Sequence, residues 1–255
     1  TLCLLILGVL VVTGFRTIVV QSQPVQTGES NQKFLVLYDS SKEGDRKVYY
    51  ETSMALGYAK IAYDAVDLSK TTNLGNLGDY TGLVITTENI YNLLGPEVLE
   101  IKEFVKNGGG LAVLYRGWNQ ILHEVFGLYN PREPEFTTVK DNVRFQGDLF
   151  PGQQGLELDQ TFLSDWSAFD IILRVGVKVL ISTEGGQPVV WQNTYGDGRV
   201  IYWNTDWLSV KEFRGFIVQS VLSLPKVAAA SLVNAACFHV DDFPAPSSNQ
   251  KLEPI

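Results

Sequence analysis

The sequence predicts an α/β domain with a doubly wound, mostly parallel sheet and a late β-hairpin. Short apolar runs of buried-strand length alternate with stretches of helical spacing, and a Tyr-Gly-Asp-Gly turn at 195–198 joins two later apolar runs. Alternating strands and helices favour parallel pairing, because each helix returns the chain across the sheet in a right-handed crossover. We place this domain at residues 33–224.

The first half of the domain contains four predicted strands and three predicted helices. The strands are 34–38, 63–66, 82–87 and 111–115, and the helices are 47–62, 96–107 and 118–126. Pro96 stands in a first helical turn, where its missing N–H is tolerated. Glycines at 108–110 end that helix, because glycine readily adopts the left-handed backbone angles of a helix C-terminus.

The second half is less regular. Prolines and glycines interrupt the pattern between 127 and 164, which predicts an insertion of loops and short strands such as 137–143. The elements predicted after it are strands at 178–183, 188–194 and 198–203 and a final helix at 209–222. The glycines between the last two strands predict a tight hairpin turn.

Composition excludes several classes of protein. The 255 residues include 28 acidic and 20 basic side chains, giving a formal net charge of −8. With no cluster of Lys or Arg, the chain lacks the basic face that binding to nucleic acid requires. Two cysteines are too few for a disulfide scaffold, and two histidines are too few for a histidine-rich metal centre.

The N-terminal residues predict a membrane segment. Residues 2–12 are apolar and uncharged, and no Ala-x-Ala-like cleavage site follows, so a retained anchor within 1–20 is favoured over a cleaved signal peptide. A buried strand or core helix is the alternative. Residues 21–32 are polar and predict a flexible stalk. We therefore expect a single-pass protein of the cell membrane with its domain outside the cytoplasm.

Polar residues that follow predicted strands are the first candidates for a binding site. Ligands of open parallel sheets bind beyond the carboxyl ends of strands. Arg116 and Trp118 follow one strand, and Asn204 and Asp206 follow another, so we predict that these four residues contact substrate. The turn at 115–118 has no Ser or Cys, which leaves covalent hydrolysis without a nucleophile.

Aromatic residues suggest a second kind of site. They are Trp118, Trp191, Tyr202, Trp203 and Trp207. Such residues can form a surface on which sugar rings stack. The alternative is packing in the core and hairpin, because aromatic residues are common in strands.

The last candidate is a pair of carboxylates, Asp241 and Asp242, at the end of an apolar run. One carboxylate of such a pair can bind a divalent metal while the other acts as general base for a metal-bound water. A solvated turn before Pro244 explains the same residues equally well.

Two resemblances to known families add to this interpretation. Residues 238–242, Phe-His-Val-Asp-Asp, resemble the first motif of NodB-type polysaccharide deacetylases. That resemblance implies that Asp241 is the general base and Asp242 a ligand of a divalent metal, with zinc expected. The family's His-x-x-x-His motif is absent from this sequence, so we expect a complete metal site only in a longer protein. Residues 225–255 would then begin a truncated deacetylase-like domain.

The second resemblance covers residues 33–224, which are similar to class I glutamine-amidotransferase-like, flavodoxin-like domains. It rests on the Phe-Val-Lys-Asn-Gly-Gly-Gly-Leu junction and the Gly-Asp-Gly-Arg-Val-Ile-Tyr hairpin. Such domains also occur as noncatalytic modules in carbohydrate-active proteins. The family's cysteine is replaced by the Tyr115-Arg116-Gly117 turn, and no histidine follows Trp203, so the triad is missing and no cofactor is expected.

These features predict a noncatalytic, membrane-proximal accessory domain of a cell-envelope polysaccharide deacetylase-like protein. Its role would be to position the catalytic domain or to bind the envelope polysaccharide or a partner. Two alternatives are a hydrolase that uses the cleft at Arg116 and Asp206, and a sensory or structural ectodomain.

Overall fold

The structure is a computed structural model that describes residues 32–88, 90, 93–147, 149–150, 152–159 and 166–226. The predicted anchor, nearly all of the predicted stalk, and the predicted deacetylase segment beyond residue 226 lie outside these residues, as do Asp241 and Asp242. Within the described ranges, no helix is both long enough and apolar enough to cross a membrane.

A nine-stranded mixed sheet forms the centre of the described domain. In chain order the strands are β1 (Lys33–Tyr38), β2 (Ala62–Asp67), β3 (Gly82–Ile85), β4 (Gly110–Val113), β5 (Phe136–Val139), β6 (Val143–Phe145), β7 (Glu157–Leu158), β8 (Trp166–Phe169), β9 (Lys178–Thr183), β10 (Pro188–Tyr195) and β11 (Gly198–Trp203). The sheet order is β2-β1-β3-β4-β11-β10-β9-β6-β7, and β5 pairs with β8 in a separate two-stranded sheet.

The nine-stranded sheet has two halves of different pairing. Strands β2, β1, β3, β4 and β11 are parallel, whereas β10, β9, β6 and β7 are added to β11 in antiparallel fashion. The predicted doubly wound parallel sheet is therefore confirmed for the first half. The predicted hairpin is also confirmed, because Tyr195 in β10 lies opposite Gly198 in β11.

Helices cover both faces of the parallel half. They are α1 (Glu43–Tyr58), α2 (Gly95–Lys106), α3 (His123–Phe126) and α4 (Arg214–Leu222). Val48 of α1 and Ile217 of α4 belong to one core cluster, and Ile101 of α2 and Val125 of α3 belong to the other. Strands β1, β3, β4 and β11 contribute alternate side chains to the two clusters, because successive side chains of a strand point to opposite faces of the sheet. The result is a three-layer α/β/α arrangement.

Four predicted elements differ from the observed ones by more than two residues at an end, and three of them lie before the final helix. The first helix spans Glu43–Tyr58 rather than 47–62, because its polar first turn carries no apolar periodicity and a turn through Lys60, with a φ of 56°, leads into β2. The helix predicted over 118–126 is reduced to α3, because the Asn119 side chain accepts a hydrogen bond from the backbone N–H of Ile121 and forms a turn instead. The strand predicted over 137–143 divides into β5 and β6, which belong to different sheets.

The final helix is also shorter than predicted. Residues 207–213 form two short 3₁₀ segments, and regular α-helix begins only at Arg214. The 3₁₀ segments bury Trp207, Leu208 and Phe213 against α1 and the neighbouring core. The 3₁₀ segments bury these apolar side chains without forming α-helix, so the apolar pattern alone does not show where the α-helix starts.

Candidate functional site

The carboxyl ends of the parallel strands lie at one edge of the sheet. The chain passes from β1 to β2 on one side and then to β3 on the other, so the strand order reverses between β1 and β3. Open α/β sheets bind ligands at such a reversal. Asp45, Glu88, Tyr115, Arg116 and Asp206 lie around this edge, and we call them the strand-end site.

Arg116 is the centre of the strand-end site. Only 7% of the residue is exposed, although its side chain carries a full charge. Its Nε donates a hydrogen bond to Glu88 Oε1, and its Nη1 donates to the carbonyl oxygen of Ser167 at 2.6 Å and to the Ser167 hydroxyl. Nη1 also lies 3.5 Å from Asp206 Oδ2. Two carboxylates and a strand of the small sheet therefore hold the guanidinium in place.

Aromatic rings enclose the same guanidinium. Its central carbon lies 5.0 Å from the ring centroid of Tyr115 and 5.1 Å from that of Phe136, both within the range of cation–π attraction. Arg116 Nη2 also lies 3.4 Å from the Tyr115 hydroxyl oxygen. Burial raises the pKa of Tyr115 to about 12, so this phenol is neutral near pH 7.

Asp45 is a second buried ionisable group of the site. It lies in the first turn of α1 and accepts a hydrogen bond from the hydroxyl of Thr87, which follows β3. Burial raises the pKa of Asp45 to about 6, and the nearby Glu88 and Asp39 carboxylates act in the same direction. The side chain therefore changes charge within the physiological pH range.

A close approach of α1 to the strand-end site explains one glycine. A Cβ atom added to Gly44 would lie 2.6 Å from the Tyr115 hydroxyl oxygen, a distance shorter than van der Waals contact. Gly44 thus allows the start of α1 to pack against Tyr115, and this packing brings Asp45 to Thr87.

The predicted substrate-binding residues have different environments. Arg116 and Asp206 are brought together as an ion pair at 3.5 Å. Trp118 is half-buried, and its indole Nε1 has no hydrogen-bond partner among the described residues. Asn204 is fully buried, and its side-chain amide bonds the backbone N–H and carbonyl of Phe169, each at 2.9 Å. The Asn204 amide therefore fixes β8 to the end of β11, and no part of it is exposed to a ligand.

Most of the aromatic residues considered for sugar stacking lie in the core. Trp191 stacks on Tyr202 with ring centroids 4.4 Å apart, and its Nε1 donates to the carbonyl oxygen of Phe126 at 2.7 Å. Trp203 is also buried and donates to the hydroxyl of Ser220 at 3.0 Å. The alternative of core packing is therefore confirmed for these three aromatic residues.

Sequence reasoning missed several members of the site. The sequence could have predicted Asp39, Thr87 and Glu88, which follow β1 and β3. Polar residues directly after neighbouring parallel strands meet at one edge of the sheet. Ser167 and Phe136 had no such signal. They reach Arg116 only because β5 and β8 form a separate sheet over the strand ends.

The described residues contain no group of three or more His, Cys, Asp or Glu side chains that could hold a metal ion. Cavities of about 610, 280 and 200 Å³ are present elsewhere in this part of the chain, and Arg116 lines none of them. The strand-end site presents the partly exposed carboxylates of Glu88 and Asp206.

The mixed sheet, the helices on its two faces and the arginine in the turn after β4 define a three-layer α/β domain. The chain belongs to the family described as "Uncharacterised protein conserved in bacteria (DUF2194)", whose model matches residues 17–255. A search of curated proteins gives no match to the sequence.

Solved structures support the same fold. A ThuA-like protein from Bacteroides uniformis matches with a TM-score of 0.52 and 15% identity, over 77% of this chain and 93% of that one. A cytoplasmic protein from Salmonella typhimurium matches with a TM-score of 0.55 and 15% identity, over 76% and 98% of the two chains. A β-galactosidase from Bacillus circulans sp. alkalophilus matches with a TM-score of 0.52 and 16% identity, over 76% of this chain and 31% of the enzyme. At these identities the likeness concerns the fold alone.

Proposed function

We propose that the α/β domain is a noncatalytic accessory domain of a cell-envelope polysaccharide deacetylase-like protein. It would position the catalytic domain or bind the polysaccharide. The observation that supports this proposal is that Arg116 occupies the turn after β4. Glu88, Asp206 and Ser167 hold its side chain there. A nucleophile in this turn would have to be reactive and exposed to substrate.

The other groups of the strand-end site do not replace a nucleophile. The Thr87 hydroxyl bonds to Asp45, whose raised pKa would suit a general base. Both residues are buried, however, so an acyl carbonyl cannot approach the hydroxyl. The Tyr115 hydroxyl has a pKa of about 12 and is buried beside Arg116. The site is therefore better suited to structural support or binding than to acyl transfer.

The deacetylase part of the proposal rests on the resemblance of residues 238–242. Asp241 would act as general base, and Asp242 would supply one ligand to a divalent metal such as zinc. A catalytic zinc ordinarily has about three protein ligands, so further ligands must come from outside the motif. The apolar run at 2–12 would hold the protein in the cell membrane with this domain outside the cytoplasm.

Two matched substitutions in the full-length protein test the proposal. Acetate release from an acetylated polysaccharide should be lost in Asp241→Asn and retained in Asp45→Asn, because in this proposal Asp241 would be the base that activates the reacting water. Ammonia release from glutamine should stay at background in both. Hydrolysis that survives Asp241→Asn but is lost in Asp45→Asn would instead show that the α/β domain is an enzyme in its own right.

A further inference from the structure

A cavity of about 280 Å³ lies in the inserted part of the domain, apart from the strand-end site. Its lining residues are Leu128, Asn130, Arg132, Pro134, Asp170, Ile171 and Ile172. Two chain segments, 127–135 and 170–174, form its walls. Backbone hydrogen bonds join these segments from Tyr129 to Ile172 at 2.8 Å and from Asp170 to Glu135 at 2.9 Å. The cavity is therefore held open by main-chain pairing.

The floor and the rim of this cavity differ in chemistry. Leu128 is buried, and with Pro134 and Ile171 it provides an aliphatic floor. Arg132 and Asp170 are exposed at the rim, and neither side chain has a hydrogen-bond or ion-pair partner within the described residues. Asn130 Oδ1 accepts a hydrogen bond from the backbone of Arg132 at 3.0 Å, which leaves the Asn130 amide N–H groups available. A carboxylate, a guanidinium and an amide thus surround an apolar floor.

Two exposed apolar side chains lie at or next to the cavity: Ile172 lines it, and the backbone of Tyr129 bonds to that of Ile172. Tyr129 is 69% exposed, and Ile172 beside it is exposed to a similar degree. Such a concentration of exposed apolar surface next to a cavity is typical of binding sites rather than of inert surface. Tyr129 is not itself a lining residue, but it lies in the chain between two that are, Leu128 and Asn130, so its exposed ring is available to a ligand that extends beyond the cavity.

A pyranose ring has the complementary chemistry: C–H groups on its faces and hydroxyl groups around its edge. Its faces would contact the Tyr129 ring and the aliphatic floor, while its hydroxyls would pair with Asp170, Arg132 and Asn130. An apolar side chain of a protein partner fits less well, because it would remove the two unpaired charges from water without offering them hydrogen bonds. The volume lies just below the roughly 300–1,000 Å³ of ordinary ligand pockets, which fits one sugar unit.

We infer that this cavity is a saccharide-binding subsite that holds one hexose or N-acetylhexosamine unit of a polysaccharide. The inference rests on the proposed function for its biological setting, and it adds a contact surface distinct from Arg116. In this arrangement Tyr129 stacks on the sugar ring, and Asp170 accepts hydrogen bonds from adjacent hydroxyls.

Titration of the full-length protein with two soluble probes tests this inference. The probes are the tetramer of N-acetylglucosamine and cellotetraose, which lacks acetamido groups, and binding is followed by isothermal calorimetry. Tyr129→Ala and Asp170→Asn should each weaken binding of the preferred probe by about three- to tenfold, the effect of one lost stacking or hydrogen-bonding contact. Tyr50→Ala is the matched control, because Tyr50 is 55% exposed on α1 and lies apart from the cavity residues.

Three results would overturn the inference: no saturable binding of either probe, equal weakening by Tyr50→Ala, or self-association of the protein that Tyr129→Ala abolishes. The last result would make the exposed patch a protein interface. Acetate release measured on the same samples separates this inference from the proposed function. Acetate release that depends on Asp241, without binding of either probe, would contradict only the saccharide subsite. Probe binding that depends on Tyr129, without acetate release, would contradict only the deacetylase assignment.

Discussion

Replacing Arg116 with methionine tests whether the strand-end site is a structural core. Methionine keeps an unbranched apolar stem but removes the charge and all five N–H donors. The change leaves the carboxylates of Glu88 and Asp206 without their cation and the carbonyl of Ser167 without its donor. The domain should still fold, because the surrounding clusters of apolar residues remain intact.

The expected loss of stability follows from the exposure of each partner. Removing one member of a fully buried ion pair costs about 3–5 kcal/mol. Glu88 and Asp206 are 28% and 37% exposed, so water solvates them after the change and reduces this penalty. A hydrogen bond from a charged donor contributes about 1.5–3 kcal/mol, and the Ser167 carbonyl loses one. We therefore expect the free energy of unfolding to fall by about 2–4 kcal/mol.

Urea denaturation monitored by tryptophan fluorescence measures this loss, with Arg144→Met as the matched control. Arg144 pairs with Glu157 at 3.6 Å, but the two side chains are 60% and 57% exposed, so removing that pair should cost about 0–1 kcal/mol. Arg116→Lys should give an intermediate value, because lysine keeps the charge and loses the planar fork. Equal losses for the two methionine variants would refute the structural role of Arg116.

Three further changes have defined outcomes. Gly44→Ala should lower the melting temperature, and less so in a Tyr115→Phe background, where the crowded hydroxyl is gone. Asp45→Asn should be more stable than the wild type by an amount that grows between pH 4 and 6 and reaches about 3 kcal/mol in urea titrations. The reason is that Asp45 ionises more readily in the unfolded chain than in the folded one, so wild-type stability falls as the pH rises, whereas asparagine stays neutral. Asn204→Leu should cost about 2–4 kcal/mol by urea denaturation, because two buried backbone groups of Phe169 lose their partners; unchanged values would contradict each prediction.

Sequence reasoning located the buried strands well, because their signal is local. The predicted strands at 178–183 and 198–203 have the observed bounds of β9 and β11. Both contain a continuous apolar run, 179–181 and 200–203, flanked by polar residues, and burial on both faces favours such runs. Gly108 adopts a φ of 107° after α2, as its predicted role at the end of that helix requires.

The strand-end site was only half predictable, because its contacts join residues far apart in the chain. Arg116 and Asp206 each follow a strand that ends at the same edge, so parallel pairing alone predicts that they approach one another. Ser167 is 51 residues from Arg116 in the chain. It belongs to β8, a strand that the sequence analysis did not predict because its residues show no clear periodic pattern. The strands β5 and β8 are short and partly polar, so their sequences do not specify the register in which they pair. That register is set by packing against the rest of the domain.

The small sheet links the strand-end site to the proposed saccharide subsite. Within the four residues 167–170, Ser167 binds Arg116, Phe169 is held by Asn204, and the backbone of Asp170 bonds to Glu135 beside the cavity. A segment held at three points moves little, so occupation of the cavity should leave the Arg116 contacts in place. The buried arginine in this arrangement serves as a rigid support for the strand that carries Asp170. The turn after β4, which contains Arg116, would then help to hold a binding surface.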